Sequence, residues 1–303
     1  MPDTTPHQWG RRPSPPAAPT PPTLLDDHAA WLRLMVGDAA AALATVPNGS
    51  VDLVFTSPPF WGLRDYHATG QYGHEPDLDD YLTHLRAVFA QLARVLAADG
   101  TVWLHLGDSY GGSWGNYHAG QPSPASRQVR MPHYGTHRPP ASRYRPKCLL
   151  GVPWRVCLGL IDDGWILRNH IIWHRPNSTP TSATDRLHNR HDALFLLSRS
   201  PRYRFDRAAL RAEAGPAGAG DVWTLPSRPR TRAHPTGGYA DLARRAVLAG
   251  TSPGQLVCDP FSGSGTTGYA ALTTGRRYLG IDLEPAYHQQ LLDTLNPNGE
   301  QHG

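Results

Sequence analysis

The chain has 303 residues, 39% hydrophobic and 18% charged, with 30 glycines and 30 prolines, enough for one large or two small domains around a full-sized core. It has neither a run of 18 apolar residues nor an apolar N-terminal stretch, which argues against membrane insertion and secretion. Its three cysteines (Cys148, Cys157, Cys258) lack Cys-x-x-Cys spacing, so neither a disulfide framework nor a zinc site is expected and a reducing cytoplasm fits.

Residues 1–23 form a Pro-, Thr- and Ser-rich leader (Pro13, Pro15, Pro16, Pro19, Pro21, Pro22) without periodic apolar positions. Such a segment buries too little surface to offset its ordering entropy and is expected to be disordered, leaving 24–303 as one domain. Strands are expected at Leu32–Val36 and Val51–Phe55. The clearest helix is expected over Leu78–Ala97, where Leu78, Tyr81, Leu82, Leu85, Phe89, Leu92 and Leu96 recur at three- and four-residue steps and Gly100 supplies a stop. Thr101–Leu106 reads as a strand, Pro153–Asp162 as a helix, and Ile166–Trp173 and Ala193–Leu197 as strands with no helix between them. A helix at Tyr239–Leu248, a strand at Gln255–Cys258, a helix at Thr266–Thr273, a strand at Arg277–Asp282 and a helix at Pro285–Leu295 complete the series. Continuous apolar strands alternating with helices predict an α/β fold. The expectation is a doubly wound, mostly parallel, seven-stranded sheet whose helix-less strands form an antiparallel pair at one edge.

The 29 basic against 25 acidic residues give a net charge of +4, a weak pointer to nucleic acid whose weight depends on distribution. Lys147 is the only lysine. Between Tyr110 and Lys147 stand Arg127, Arg130, Arg138, Arg143, Arg145 and Lys147 without one acid, interleaved with Tyr110, Trp114, Tyr117, Tyr134 and Tyr144. Cations for phosphates with aromatics for bases make a DNA-facing surface the expected role of these basic residues. Further basic clusters run from Arg199 to Arg211 and through Arg228, Arg230 and Arg232, so DNA-facing insertions are expected at about 110–147 and 199–235. The competing reading of the later clusters is a solvated surface loop.

After the strand ending at Cys258 comes Asp259-Pro-Phe-Ser-Gly-Ser-Gly-Thr-Thr-Gly268, whose Gly263, Gly265 and Gly268 satisfy G-x-G-x-x-G, with Asp282 following at the dinucleotide-fingerprint distance. Glycines let the backbone approach a ligand, the next helix offers free N–H groups, and a carboxylate at a strand end accepts from ribose hydroxyls. The loop by itself leaves NAD, FAD and S-adenosylmethionine open. Only about twenty residues follow Asp282, so the rest of a nucleotide-binding sheet must come from upstream, in permuted order.

The strand Val51–Phe55 runs into Thr56-Ser57-Pro58-Pro59-Phe60-Trp61. Two prolines end the strand and hold the Ser57 and Pro58 carbonyls as rigid acceptors. Ligands of open parallel sheets sit at the carboxyl ends of strands, so this turn and the Gly-rich loop are able to face one pocket. In these two motifs the chain resembles the amino-group DNA methyltransferases, specifically the permuted (beta) class. That family carries [Asp/Asn/Ser]-Pro-Pro-[Tyr/Phe/Trp] in the first turn and Asp-Pro-Phe-x-Gly-x-Gly-Thr in the second. Gly37-Asp38, Gly107-Asp-Ser-Tyr110, Trp173-His-Arg-Pro-Asn177, His191-Asp-Ala-Leu-Phe195 and Gly280-Ile-Asp282 are similar to further family blocks, and the resemblance spans roughly residues 31–295. One departure lies near His234-Pro235, where Thr236-Gly-Gly-Tyr239 stands in place of an apolar helix start.

The resemblance implies a Rossmann-like fold, S-adenosylmethionine as cofactor, double-stranded DNA as substrate and a cognate restriction enzyme as partner. It implies that Ser57, Pro58, Pro59 and Phe60 are catalytic. Ser57 and the Pro58 carbonyl would accept from the target amine, freeing its delocalised lone pair, while Phe60 stacks on a base turned out of the duplex. Phe261, Ser262, Gly263 and Gly265 would wrap the methionine part, with Thr266 at the helix start and Asp259 opening the loop. Asp282 would hold the ribose, and Asp38 would lie near the adenine or merely cap a helix. Serine in the first turn is associated with cytosine N4 and aspartate with adenine N6, so N4 leads. C5 methylation lacks its Pro-Cys nucleophile. Sulfonium transfer needs no metal, and the His188/His191 pair has no further ligand spacing, so no metal site is expected. The role of Asp108 stays open between the site and loop ordering. The rival classes are a nicotinamide oxidoreductase, which leaves Ser57–Phe60 unexplained, and a non-catalytic DNA-binding module.

Overall fold

The strands read as continuous apolar runs are covered on both faces because alternate side chains enter two different cores. The structure, a computed structural model, describes residues 31–63, 68, 70–111, 144–178, 180, 181, 183–227 and 238–296. Its elements are β1 (Leu32–Val36), α1 (Ala39–Ala44), β2 (Val51–Thr56), α2 (Leu78–Val95), β3 (Leu96–Leu106), α3 (Val152–Asp162), β4 (Ile166–His174), β5 (His191–Ser198), α4 (Arg207–Ala214), β6 (Val222–Thr224), α5 (Gly238–Gly250), β7 (Leu256–Asp259), α6 (Thr266–Leu272), β8 (Arg277–Asp282) and α7 (Pro285–Leu295). Val54, Val102, Leu104, Phe195 and Ile281 pack with α1, α2 and α3 on one face. Leu53, Phe55, Trp103, Leu194 and Tyr278 pack with α4, α5, α6 and α7 on the other. The result is a three-layer sandwich with the sheet in the middle.

The strand order is β1-β8-β7-β2-β3-β5-β4-β6. The sheet thus has eight strands against the seven expected. The extra one, β6, has three residues and pairs in parallel with β4 (Ile172↔Val222), so the helix-less pair does not form the edge. Within that pair only β5 is reversed, antiparallel to both β3 and β4. Helix α2 ends at Val95, two residues short of the expectation, because Leu96 takes extended dihedrals (φ −68°, ψ 135°) and enters β3. Two helices went unforeseen. Ala39–Ala44 is too short for a periodic signal and is fixed by Asp38, whose carboxylate accepts from the Ala41 amide at 2.9 Å. Arg207–Ala214 is fixed by Asp206, which accepts from the Ala209 amide, and it buries Leu210.

The reversal of β5 corrects one expectation. Ser198 lies opposite Thr101, near the start of β3's paired stretch, so the chain beyond it emerges at the rim opposite the end of β2. There the Arg204 amide bonds the Asp99 carbonyl at 2.8 Å and the Asp206 amide bonds Ala249. The basic cluster Arg199–Arg211 therefore lies on the far rim from the Ser57 turn. Residues 225–227 return to the near rim through β6, and Arg228, Arg230 and Arg232 lie outside the described residues, as does the leader at 1–23. Among the described residues no helix is long and apolar enough to cross a membrane.

Candidate active site

From β2 the chain crosses to β3, while from the adjacent β7 it crosses the other way, to β8. Such a reversal of winding opens a crevice at the carboxyl ends of the two strands. The Ser57 turn leaves one of those ends and the Gly-rich loop leaves the other. A single cavity of about 250 Å³ is lined by Ser57 and Pro59 from the first, by Phe261, Gly263 and Ser264 from the second, and by Asp282 at the end of β8. Gly37, Tyr72, Glu284 and Tyr287 complete its sides. Residues about 200 positions apart in the chain thus face one another.

Asp259 joins the two bends. Its carboxylate, 1% exposed, accepts from the Thr56 hydroxyl at 2.7 Å, the Thr267 hydroxyl at 2.7 Å and the Phe261 amide at 3.1 Å. Thr56 immediately precedes Ser57 and Thr267 lies in α6, so this residue pins both loops from beneath. The expectation that it binds the cofactor is corrected, because all three of those bonds stay within the protein and it does not line the cavity. Burial pushes the carboxyl up to about 6 despite the three donors. A folded-state value above the unfolded one near 4 means that stability is fully present below about 4 and is lost as pH rises through about 6, on the order of 3 kcal/mol. Urea unfolding of wild type relative to Asp259→Asn is therefore expected to show wild type losing relative stability between pH 4 and 7; a constant difference over that window would contradict this.

The Gly-rich loop is bound to the ends of its neighbours. Ser262 is turned inward, its amide on the Ile281 carbonyl at 2.9 Å and its hydroxyl on Tyr278 at 2.8 Å, so its side chain is structural rather than cofactor-facing. The Gly263 amide donates to Asp282 Oδ2 at 2.7 Å, and Asp282 Oδ1 accepts from the Glu284 amide at 3.1 Å. Gly265 caps α6 in the left-handed region (φ 73°), where a Cβ would fall 2.5 Å from Leu291. This glycine serves turn geometry and packing against α7 rather than ligand contact, and Thr266 follows as the first helical residue. Asp38 caps α1 as described and also accepts from the Tyr72 hydroxyl at 2.9 Å. Both carboxylate oxygens are thereby engaged, and the capping alternative describes it better than direct cofactor contact. Tyr72 in turn meets Phe261 edge-on at 5.1 Å.

The proline turn is equally fixed. Pro58 is buried, the Pro59 carbonyl accepts from the Tyr81 hydroxyl at 2.9 Å, and the Trp61 indole donates to the Glu75 carbonyl at 3.0 Å. The Phe60 ring lies over Gly107, where a Cβ would come within 2.6 Å of it. Ser57 has partners that the motifs did not reveal: its hydroxyl is 3.0 Å from His105 Nδ1 and is hydrogen-bonded to Tyr239. Burial, and then the negative charge of Asp259, push the Tyr239 phenol well above its ordinary value, so it stays protonated. The available signal for His105 was a polar residue inside the apolar run Val102–Leu106. Tyr239 falls in the segment noted above as a departure from the family pattern.

Asp108 orders a loop: its carboxylate accepts from the Gly151 and Val152 amides at 3.1 and 3.0 Å, holding the start of α3. Of the expected DNA-facing residues, Arg127, Arg130, Arg138 and Arg143 lie outside the described residues. Arg145 is exposed. Lys147 is exposed but paired with Asp185, which raises its pKa through hydrogen bond and charge. Its positive charge is thus partly countered by an acid from the β4–β5 connection. Among the described residues no group of three or more His, Cys, Asp or Glu is placed to hold a metal ion.

Comparison with known proteins agrees with this geometry. A family described as DNA methylase matches residues 51–293. The chain is 40% identical over 266 residues to the type II methyltransferase M.XycI of Xanthomonas campestris pv. cyanopsidis, covering 86% of this chain and 87% of the relative. It is 37% identical over 269 residues to M.SmaI of Serratia marcescens, covering 87% and 90%. The fold resembles that of PvuII DNA methyltransferase, described as cytosine-N4-specific, at 18% identity and a TM-score of 0.63, covering 88% of this chain and 92% of that one. It also resembles a DNA modification methylase of Thermus thermophilus, TTHA0409, solved in complex with S-adenosyl-L-methionine, at 24% identity and a TM-score of 0.60, covering 89% and 95%. At these identities the structural likeness is one of fold.

Proposed function

The chain belongs to the amino-group DNA methyltransferase family, and from that premise we propose that it methylates the N4 amino nitrogen of cytosine in double-stranded DNA, using S-adenosylmethionine and a base turned out of the duplex. The observation that carries the reading is the single cavity shared by the Ser57 turn and the Gly-rich loop. The cofactor fits the residues present. The position of Gly263 opens onto free space, with nothing within 4 Å of where a Cβ would stand. Asp282 meets the cavity at a strand end, and the rings of Tyr72, Phe261 and Tyr287 offer flat apolar walls. Bound there, S-adenosylmethionine supplies an electrophilic methyl group on a sulfonium. Phe261, Gly263 and Asp282 hold it, with Asp282 toward the ribose hydroxyls.

The exocyclic amine is a poor nucleophile while its lone pair is spread into the ring. Acceptors at both N–H bonds turn the nitrogen toward tetrahedral geometry, and Ser57 and the Pro58 carbonyl fill that role. Orientation contributes most of the acceleration, up to about 7–11 kcal/mol for well-placed reactants. Phe60 stacks on the extruded base. Phe60→Ala is expected to cost about 1–3 kcal/mol in kcat/KM for DNA with cofactor affinity unchanged; an unaltered kcat/KM would remove Phe60 from base recognition. Cytosine N4 is favoured by serine at the head of the turn and by the cytosine-N4 specificity stated for the PvuII fold neighbour. The relatives' designation as type II methyltransferases supports a place beside a restriction enzyme, within the permuted class of the family. Nucleoside mass spectrometry of DNA incubated with protein and S-adenosylmethionine tests the reading. N4-methyldeoxycytidine is expected, N6-methyldeoxyadenosine would move the target to adenine, and neither product would overturn it.

A further inference from the structure

We propose that His105, oriented by Asp192, is the positioning residue that aims the Ser57 hydroxyl and receives the proton released by methyl transfer, acting through Ser57 without touching the base. The proposal rests on the methyl-transfer reading above. His105 is 5% exposed on β3, with Nδ1 3.0 Å from Ser57 Oγ and Nε2 3.4 Å from Asp192 Oδ2 on β5. The other Asp192 oxygen accepts from Arg175 Nη2 at 2.9 Å. Phe60, Trp173 and Tyr239 wall the imidazole at ring distances of 5.5, 5.2 and 5.5 Å. The charged and titratable groups around it are therefore Asp192 and Arg175 from the β4–β5 pair, Tyr239 from α5, and Asp259 behind Tyr239.

Hydrogen-bond direction follows from chemistry. The Asp192 carboxylate only accepts, so Nε2 carries the imidazole proton and Nδ1 presents a lone pair. Ser57 must then donate to Nδ1, and a lone pair of its oxygen is left for the target amine. A serine with a free hydroxyl has no such preference and presents its own proton to the amine just as readily. In the transfer the N–C bond forms as the S–C bond breaks, leaving a surplus proton on nitrogen. That proton passes to Ser57 Oγ while the serine proton passes to His105 Nδ1, forming an imidazolium beside Asp192 that later releases the proton to water. Serine is a far weaker base than a carboxylate, and the relay supplies the missing basicity. The 3.4 Å contact between His105 and Asp192 is long, as such bonds commonly are before substrate arrives. An imidazolium formed beforehand at low pH donates from Nδ1 to Ser57 and removes the acceptor, so the rate falls on the acid side.

The test joins nitrogen NMR of the imidazoles in the protein alone with single-turnover methyl transfer to DNA across pH. Wild type is expected to hold His105 with its proton on Nε2 and to show an acid limb. His105→Gln is expected to lower the rate about 10²-fold, abolish that limb and leave S-adenosylmethionine affinity unchanged. Asp192→Asn, which keeps the imidazole, is expected to mix the tautomers and lose part of the rate. Because His105 acts through Ser57, the double variant Ser57→Ala/His105→Gln should be no slower than Ser57→Ala. An unchanged acid limb in His105→Gln, additive losses in the double variant, or a proton on Nδ1 in wild type would each overturn the proposal. If His105→Gln no longer binds S-adenosylmethionine, Asp192→Asn decides, and its full rate would overturn it. Absence of transfer by the unaltered protein at every pH would overturn the methyl-transfer reading itself.

Discussion

Ser57→Ala is expected to lower turnover by about 10²–10³-fold while S-adenosylmethionine binds as before. The hydroxyl lines the cavity at its junction with the Gly-rich loop, and it is the side-chain acceptor that the turn offers to the amine. The backbone around it is held by groups the substitution leaves alone: Thr56 on Asp259, Pro59 on Tyr81 and Trp61 on Glu75. The turn should therefore keep its shape, and the loss should appear in kcat rather than in cofactor affinity. Rapid-quench turnover with an isothermal titration of the cofactor separates the two. Unchanged turnover would remove Ser57 from the mechanism, and a matching loss of cofactor binding would make its role structural.

Asp282→Ala is expected to weaken S-adenosylmethionine binding roughly 10–100-fold, the equivalent of one hydrogen bond to a charged group at about 1.5–3 kcal/mol. Its carboxylate faces the cavity and also receives the Gly263 and Glu284 amides, so alanine removes a ligand contact and loosens the loop wall together. Asp282→Asn keeps an acceptor for one of those amides and should fall between wild type and alanine. Titration of the cofactor measures both variants, and an unaltered dissociation constant in Asp282→Ala would refute the assignment.

The two bends were legible in the sequence because proline, glycine and strand-end acid act locally: each fixes backbone shape within a few residues of an apolar run. Ser57, Phe261, Gly263 and Asp282 accordingly fall where the motifs put them, around one cavity. Roles that arise only when distant strands meet were not legible. Ser57 and His105 are 48 residues apart, and His105 and Asp192 are 87 apart. The motif carries Asp259 as a cofactor residue, yet burial turns it to Thr56 and Thr267 beneath the site. Direction in the sheet was equally hidden: the reversed β5 sends Arg199–Arg211 to the far rim, and a three-residue β6 is too short to carry a periodic signal.

A crystal structure of the protein with S-adenosylmethionine is the most direct test of the site. It should show the ribose on Asp282, the methionine part along Phe261 and Gly263, and the methyl carbon turned toward the Ser57 hydroxyl. A cofactor whose methyl group points away from that hydroxyl, or one seated outside the crevice between β2 and β7, would contradict the account.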